Sequence, residues 1–238
     1  MDNLSRRTFL AISAGAALAP SFAWGAEPVP SLLDHILLGC SDLERGIAFV
    51  EEHSGLRAAF GGVHPGRGTQ NALLSVGALG ERRYLEIIAP DPKQPSLEQY
   101  SVITKLNQPR LIGWAAHRDD LDEFAKHLHE QGVAFEGPQS GSRQRPDGKV
   151  LRWRALRLKD DHGGLLPFFI EWSKDSVHPS VDAPKGCQLT RFEATSPEAE
   201  DLLRAISRVQ LDLRVSAAMK PALQATVAGP KSQFLVTS

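Results

Sequence analysis

The sequence is poor in cysteine, in charge of one sign and in long apolar runs. Cys40 and Cys187 are its only 2 cysteines among 238 residues, so a disulfide-stapled scaffold is excluded. An oxidising compartment would permit one bond between them, but two inert buried thiols are the preferred reading. Lys and Arg total 27 against 28 Asp and Glu, a net charge of −1. Without a basic excess, nucleic acid is excluded as the main partner. Beyond residue 25 no apolar stretch approaches the ~20 residues that span a bilayer. With 42% apolar and 23% charged residues, the composition is that of a chain with a real core, not of a disordered one.

The first 25 residues stand apart. Ser5-Arg6-Arg7-Thr8-Phe9-Leu10 reads as a twin-arginine signal. A small-residue apolar run from Ala11 to Phe22 follows, then Ala23-Trp24-Gly25, which suits cleavage before Ala26. The expectation is a periplasmic protein, exported already folded and free of the membrane after cleavage. An N-terminal membrane anchor is the other reading. The expected boundaries are a signal at 1–25, a domain at 26–175 with modules 32–90 and 111–173, and a third, partial module at 185–238.

Three segments share one pattern of strand, capped helix and further strands. The first opens with Leu33–Gly39, followed by the capping sequence Ser41-Asp42-Leu43-Glu44 and an apolar stripe of Leu43, Ile47 and Val50, ended by Gly55. Strand-like runs follow at Leu56–Phe60, Asn71–Val76 and Arg82–Ala89. The second opens with Leu111–His117, is capped at Asp120 and ends its helix at Gly132; runs follow at Val133–Phe135, Val150–Leu158 and Leu165–Trp172. Asp42 and Asp120 align at a gapless offset of 78 residues. The third opens with Gln188–Phe192, with Ser196-Pro197 as the expected helix start. A period this long is no solenoid unit. It suits a βαβββ module paired with a copy of itself, one sheet face taking the helices and the other lining a cup.

Three phrases then carry a resemblance. They are Leu33-Asp34-His35; His64-Pro65-Gly66-Arg67-Gly68-Thr69-Gln70-Asn71 with Arg83-Tyr84-Leu85-Glu86; and Gly141-Ser142-Arg143-Gln144-Arg145-Pro146-Asp147-Gly148 with Leu166-Pro167-Phe168-Phe169-Ile170-Glu171-Trp172. In these the sequence resembles the vicinal oxygen chelate superfamily and, within it, the bacterial glyoxalase-like domain family. The resemblance implies an α+β fold of tandem βαβββ modules forming a curved mixed sheet, with a third C-terminal βαβ-type module. It also implies a divalent metal ion (Zn, Ni, Mn or Fe) held by His35, Glu86 and Glu171 on the opening and closing strands of the modules, completed by bound water or by His64 from the loop at the cup mouth. The sequence departs from the metal-binding pattern at one place, since the 78-residue offset carries His35 onto Gly113, which has no ligand atom.

The residues themselves say the following. Glu86 shares a strand face with Tyr84 and Ile88 in an apolar run, and a buried carboxylate needs a partner. Glu171 has two readings, a cup ligand or a structural partner of Arg152 or Arg154. The His64–Asn71 phrase lacks the Lys-Ser/Thr ending of a phosphate loop. It reads as substrate orientation by Thr69 and Asn71 with His64 as general acid or base, or else as a plain loop. Arg143, Arg145 and Arg154 suit an anionic oxygen on a small-molecule substrate, or else a solvated hairpin. Trp153 and Trp172 read as core. His53, His127, His129 and His178 read as solvated and His162 as a turn residue.

Two functions are compatible. One is a metalloenzyme of isomerase or lyase type in which Glu86 and His64 do the proton work on an oxygen-rich or carbonyl substrate. The other is a metal-free protein of the same fold that sequesters a small ligand. A homodimer is compatible with either.

Overall fold

A computed structural model describes residues 28–94 and 101–238; the twin-arginine segment lies outside the described residues. The first module runs β1 (Leu33–Gly39), α1 (Leu43–Ser54), β2 (Ala59–His64), β3 (Thr69–Ser75) and β4 (Tyr84–Pro90). A short helix α2 (Ser101–Thr104) leads to the second module: β5 (Arg110–His117), α3 (Leu121–Glu130), β6 (Phe135–Gln144), β7 (Val150–Leu158) and β8 (Phe168–Trp172). A helical turn, α4 (Pro179–Asp182), precedes the third: β9 (Gln188–Ser196), α5 (Ala199–Arg208), β10 (Arg214–Ala217), β11 (Ala222–Ala228) and β12 (Gln233–Thr237).

Local chemistry explains the helix ends. Asp42 caps α1 by accepting the Arg45 backbone N–H, one residue later than a cap on Ser41 would stand. Gly55 closes the helix in the left-handed region at φ 82, its N–H bonded to the Glu51 carbonyl. Asp120 caps α3 through the N–H groups of Asp122 and Glu123. Ser196 ends β9 instead of capping α5, and its hydroxyl accepts the Glu198 N–H.

The first two modules form one 8-stranded mixed sheet of order β2-β3-β4-β1-β5-β8-β7-β6. β1 and β5 pair antiparallel at its centre. Each is flanked by the last strand of its own module in parallel, β4 on β1 and β8 on β5. The two halves are therefore related by a pseudo-two-fold axis between β1 and β5. The sheet curls until its edge strands β2 and β6 come into contact. At that seam Gly62, at φ 136 beside a bulge in β2, leaves room that a Cβ would close, 2.6 Å from the Gln144 carbonyl oxygen.

Alternation along β1 separates the two faces. Ile36 and Leu38 join Leu43, Ile47 and Val50 of α1 in the main core, while His35 and Leu37 line the concave side. The third module has a 4-stranded sheet, β10-β9-β11-β12. Here the strand after the helix, β10, returns parallel beside β9, and β11 lies antiparallel on β9's other side. It is thus a βαβ unit with a hairpin added, not a third copy. Phe192, Leu189 and Val227 enter the same core as Ile36 and Leu38, so this module covers the convex back of the large sheet. No residue beyond Trp172 lines the cup.

Two strand expectations change. β6 extends over Phe135–Gln144 with an exposed, polar composition that gives little apolar signal. The His64–Asn71 phrase is a β-hairpin, since β2 ends at His64 and β3 begins at Thr69, with Gly66 at φ 71 and Gly68 at φ 65 in the turn. Cys40 and Cys187 are both free and buried, and burial pushes the Cys40 thiol up to about 12. Among the described residues no helix is long and apolar enough to cross a membrane.

Candidate active site

The concave side of the sheet encloses a cavity of about 580 Å³, within the range of small-molecule sites. Its walls include the apolar Ile112, Trp114, Leu158, Phe168 and Ile170; His35, His64 and Asn71 gather around Glu86, and Arg67, Arg143, Arg157 and Asp161 also line it.

Glu86 is buried in the floor, and three side chains converge on it. Asn71 Nδ2 donates to Oε1 at 2.7 Å. His35 Nε2 stands 3.5 Å from Oε2, and His64 Nε2 stands 3.7 Å from Oε1. The register explains the meeting. β4 lies between β1 and β3, and Leu73 and Leu37 are the direct partners of Glu86. His35 and Asn71 are two residues along those strands and therefore on the same face. The hairpin then places His64 opposite Thr69. Burial works against the charge on Glu86, but His35, His64, the Asn71 hydrogen bond and Arg143 outweigh it and hold the carboxyl below its usual range.

Each imidazole is aimed by a partner at its other nitrogen. His35 Nδ1 lies 2.7 Å from Asp34 Oδ1. A carboxylate only accepts, so Nδ1 carries a proton there and Nε2 is the atom left for the cup. His64 Nδ1 lies 2.8 Å from Thr69 Oγ1. Burial drives the His64 imidazole down to about 4, with Arg143 and Arg67 adding to that effect against the pull of Glu86. His64 is therefore a neutral base at pH 7.

Asp34 is the residue that reading the sequence missed. It is the extra residue of a bulge in β1, between the pairs Leu33–Ala116 and His35–Ala115. Bulges re-aim side chains, and here a carboxylate only 2% exposed becomes a hub. Besides His35 it accepts from Trp172 Nε1 at 3.0 Å and His178 Nε2 at 3.1 Å, and His117 Nδ1 lies 3.6 Å away. Burial opposes its charge, yet the bonds to His117, His178 and His35 hold it well below the usual carboxylate range. His178, expected in solvent, is buried, with Nδ1 2.8 Å from the Ser180 hydroxyl. The sequence signal was an acid inside an apolar strand, in the first of the three quoted phrases.

The other expected site residues divide. Arg143 lines the cup, 4% exposed. Thr69 is fully buried behind His64, and Asn71 holds Glu86. Both therefore position side chains of the cluster. Glu171 does not reach the cluster. Phe168, Ile170 and Trp172 of β8 face the cup, so Glu171 projects to the helix side. There it accepts Arg154 Nη2 at 2.6 Å and the Leu121 N–H of α3 at 3.0 Å. Arg154 also binds Asp122 and is thereby outside the cup as well. Arg145 pairs with Asp182 at 2.6 Å, away from the cavity wall. Trp153 and Trp172, expected in the core, line the cup with ring centroids 5.7 Å apart.

The metal expected from the resemblance finds an incomplete ligand set. Glu171 is on the other face, Gly113 offers no atom, and Glu86 Oε1 is already taken by Asn71. Among the described residues no group of three or more His, Cys, Asp or Glu side chains is arranged to hold a metal ion.

Solved structures are similar to this chain, and the first shares its fold. A hypothetical protein from Staphylococcus aureus is 17% identical with a TM-score of 0.57, over 86% of this chain and 84% of its own. Methylmalonyl-CoA epimerase of Streptomyces coelicolor, in complex with 2-nitronate-propionyl-CoA, is 22% identical with a TM-score of 0.45, over 60% of this chain and 98% of its own. The methylmalonyl-CoA epimerase of Mycobacterium tuberculosis is 23% identical with a TM-score of 0.42, over 61% and 89%. No curated protein matches the chain. The family model of the glyoxalase-like domain matches residues 33–210, and the chain belongs to that family.

Proposed function

We propose that this glyoxalase-like protein is an enzyme of isomerase or lyase type that moves a proton on a small carbonyl compound held in the cup. One observation carries the reading: a buried, ionised Glu86 faces the cavity between two imidazole Nε2 atoms whose other ring nitrogens are both engaged. A buried carboxylate with two imidazoles converging on it in one cavity costs stability and serves chemistry better than folding.

Glu86 Oε2 is the base, since Asn71 occupies Oε1. It takes a proton from carbon next to the carbonyl. His35, held by Asp34, exchanges a proton at Nε2 with Glu86 or with the substrate oxygen. Return of the proton to the same or the neighbouring carbon completes an isomerisation with no group lost. Burial of Glu86 and His35 away from bulk solvent strengthens these interactions. No step is assigned to a metal, because the ligand set is incomplete.

The test is deuterium incorporation. The purified protein is incubated in D2O with 2-oxo acids, ketones and aldehydes bearing an α-hydrogen, and exchange is followed by proton NMR. Exchange that Glu86→Gln and His35→Gln abolish supports the enzyme. Saturable binding of a panel member with no exchange moves the reading to sequestration. Elemental analysis of protein purified without chelator tests the metal: a stoichiometric divalent ion lost in His35→Ala would restore it to the mechanism. Export through the twin-arginine route remains part of the proposal, resting on Arg6-Arg7 and the run that follows them.

A further inference from the structure

Arg143 makes no hydrogen bond or ion pair among the described residues, although it is 4% exposed. Its Nη1 is sealed from solvent with no partner. A guanidinium carries five N–H donors in a planar fork, and burying those of Nη1 unused is unfavourable. Neighbouring cations that do have partners show what is missing. Arg145, just past the end of β6 and outside the cavity wall, has Asp182 and Asp147. Arg157 lies over the Phe168 ring at 4.7 Å.

The fold goes to some length to place this group. The β2–β6 seam brings Gly62 against it, and a Cβ at position 62 would stand 3.0 Å from Arg143 Nη1. A Cβ at Gly61 would collide with Asn71 Oδ1. The two consecutive glycines thus let the edge of one module close over the Glu86 cluster and press the arginine toward it. Away from Arg143 the wall carries a large aromatic and aliphatic surface, from Trp153, Phe168, Trp172, Leu158 and Ile112, with Arg157 and Asp161 as its charged members. The cavity of about 580 Å³ is far larger than a three-carbon ketoaldehyde needs.

We infer that Arg143 is the anchor for a carboxylate on the substrate, and that the substrate is an amphiphilic acid whose aryl or branched alkyl body fills the second-module half of the cup. This rests on the cup being the substrate site, as proposed above, but not on the proton transfer. A carboxylate matches the fork in two parallel hydrogen bonds. An apolar body gains from the walls, and the proton-transfer cluster is left at the end of the molecule that carries the acid.

The experiment is calorimetric titration of the full chain at pH 7 with 4-phenylbutanoate, its neutral isostere 4-phenylbutanamide, and acetate. The expected result is saturable binding of 4-phenylbutanoate at least tenfold tighter than of the amide and of acetate. Arg143→Met should remove the preference for the acid over the amide. Arg143→Lys, which keeps the charge but not the fork, should recover part of it. Glu86→Gln should bind the acid at least as tightly as the parent, because it removes a neighbouring negative charge. Equal binding of acid and amide by the parent protein overturns the inference without any variant. So does an Arg143→Met protein, folded by circular dichroism, that still prefers the acid. Failure of deuterium exchange alongside acid-selective binding sinks the proton-transfer reading and leaves this one standing.

Discussion

His35 Nδ1 lies 2.7 Å from Asp34 Oδ1, and the two residues are adjacent in one strand. In a regular strand, neighbours point to opposite faces. The bulge at Asp34 breaks that rule and lets the carboxylate hold the ring beside it. The imidazole is thus oriented from behind while its Nε2 is presented to Glu86. The arrangement joins a structural hub, with Trp172 and His178 bonded to Asp34, to the chemistry of the floor.

Asp34→Asn should disrupt both functions of that hub. The amide keeps one acceptor but turns a donor toward ring and indole N–H groups that are already donors. Breaking a buried charged network of this kind costs about 3–5 kcal/mol. Urea denaturation measures the loss. Deuterium exchange catalysed by the folded fraction should also fall, because His35 is no longer aimed. A stability within about 1 kcal/mol of the parent would show the hub to be unimportant.

Stability should decline as pH falls from 6.5 toward 4. Unfolded His64 takes up a proton near its ordinary value of 6.5, whereas the buried imidazole resists until about 4. In that window the unfolded state binds the extra proton, so the neutral native form is fully favoured above 6.5 and loses its advantage below it. The difference amounts to about 3 kcal/mol. Melting temperatures across this range should slope for the parent and flatten for His64→Gln. Below this window, protonation of Asp34 and Glu86, both held low, removes further stability in either protein.

The two glutamates expected together should behave differently. Glu86→Gln should lower proton exchange by about 100-fold or more, the scale of general-base catalysis. Glu171→Gln should leave exchange unchanged and cost about 1 kcal/mol, since its partner Arg154 is partly solvated. Equal loss of exchange in both variants would put Glu171 back in the site.

Replacing Arg6-Arg7 by Lys-Lys should hold the protein in the cytoplasm. Fractionation followed by immunoblotting reads this directly. An undiminished periplasmic yield contradicts the export proposal.

Much of the molecule was legible in one dimension. The duplicated strand–helix–strand pattern, the Asp and Gly helix punctuation and the period-2 placement of Glu86 are local signals, and they yielded the modules and the curved sheet, while the pairing of His35 with Glu86 came from the family resemblance. His64, expected in a loop at the mouth, instead ends β2 and is buried beside Glu86. What failed was whatever depended on parity across the sheet or on a distant segment. Glu171 occupies an apolar strand as Glu86 does, but one residue of phase sends it to α3 and Arg154 instead of the cup. His178 sits in a polar connection, and only the return of that connection over β1 buries it against Asp34. The sequence by itself therefore determined the modules, because hydrophobic periodicity and turn chemistry act within a few residues, and its family resemblance named the acid and the imidazoles. Only the tertiary structure decided which of them share a face, because a bulge in β1 and the closure of β2 on β6 arise from contacts far apart in the chain.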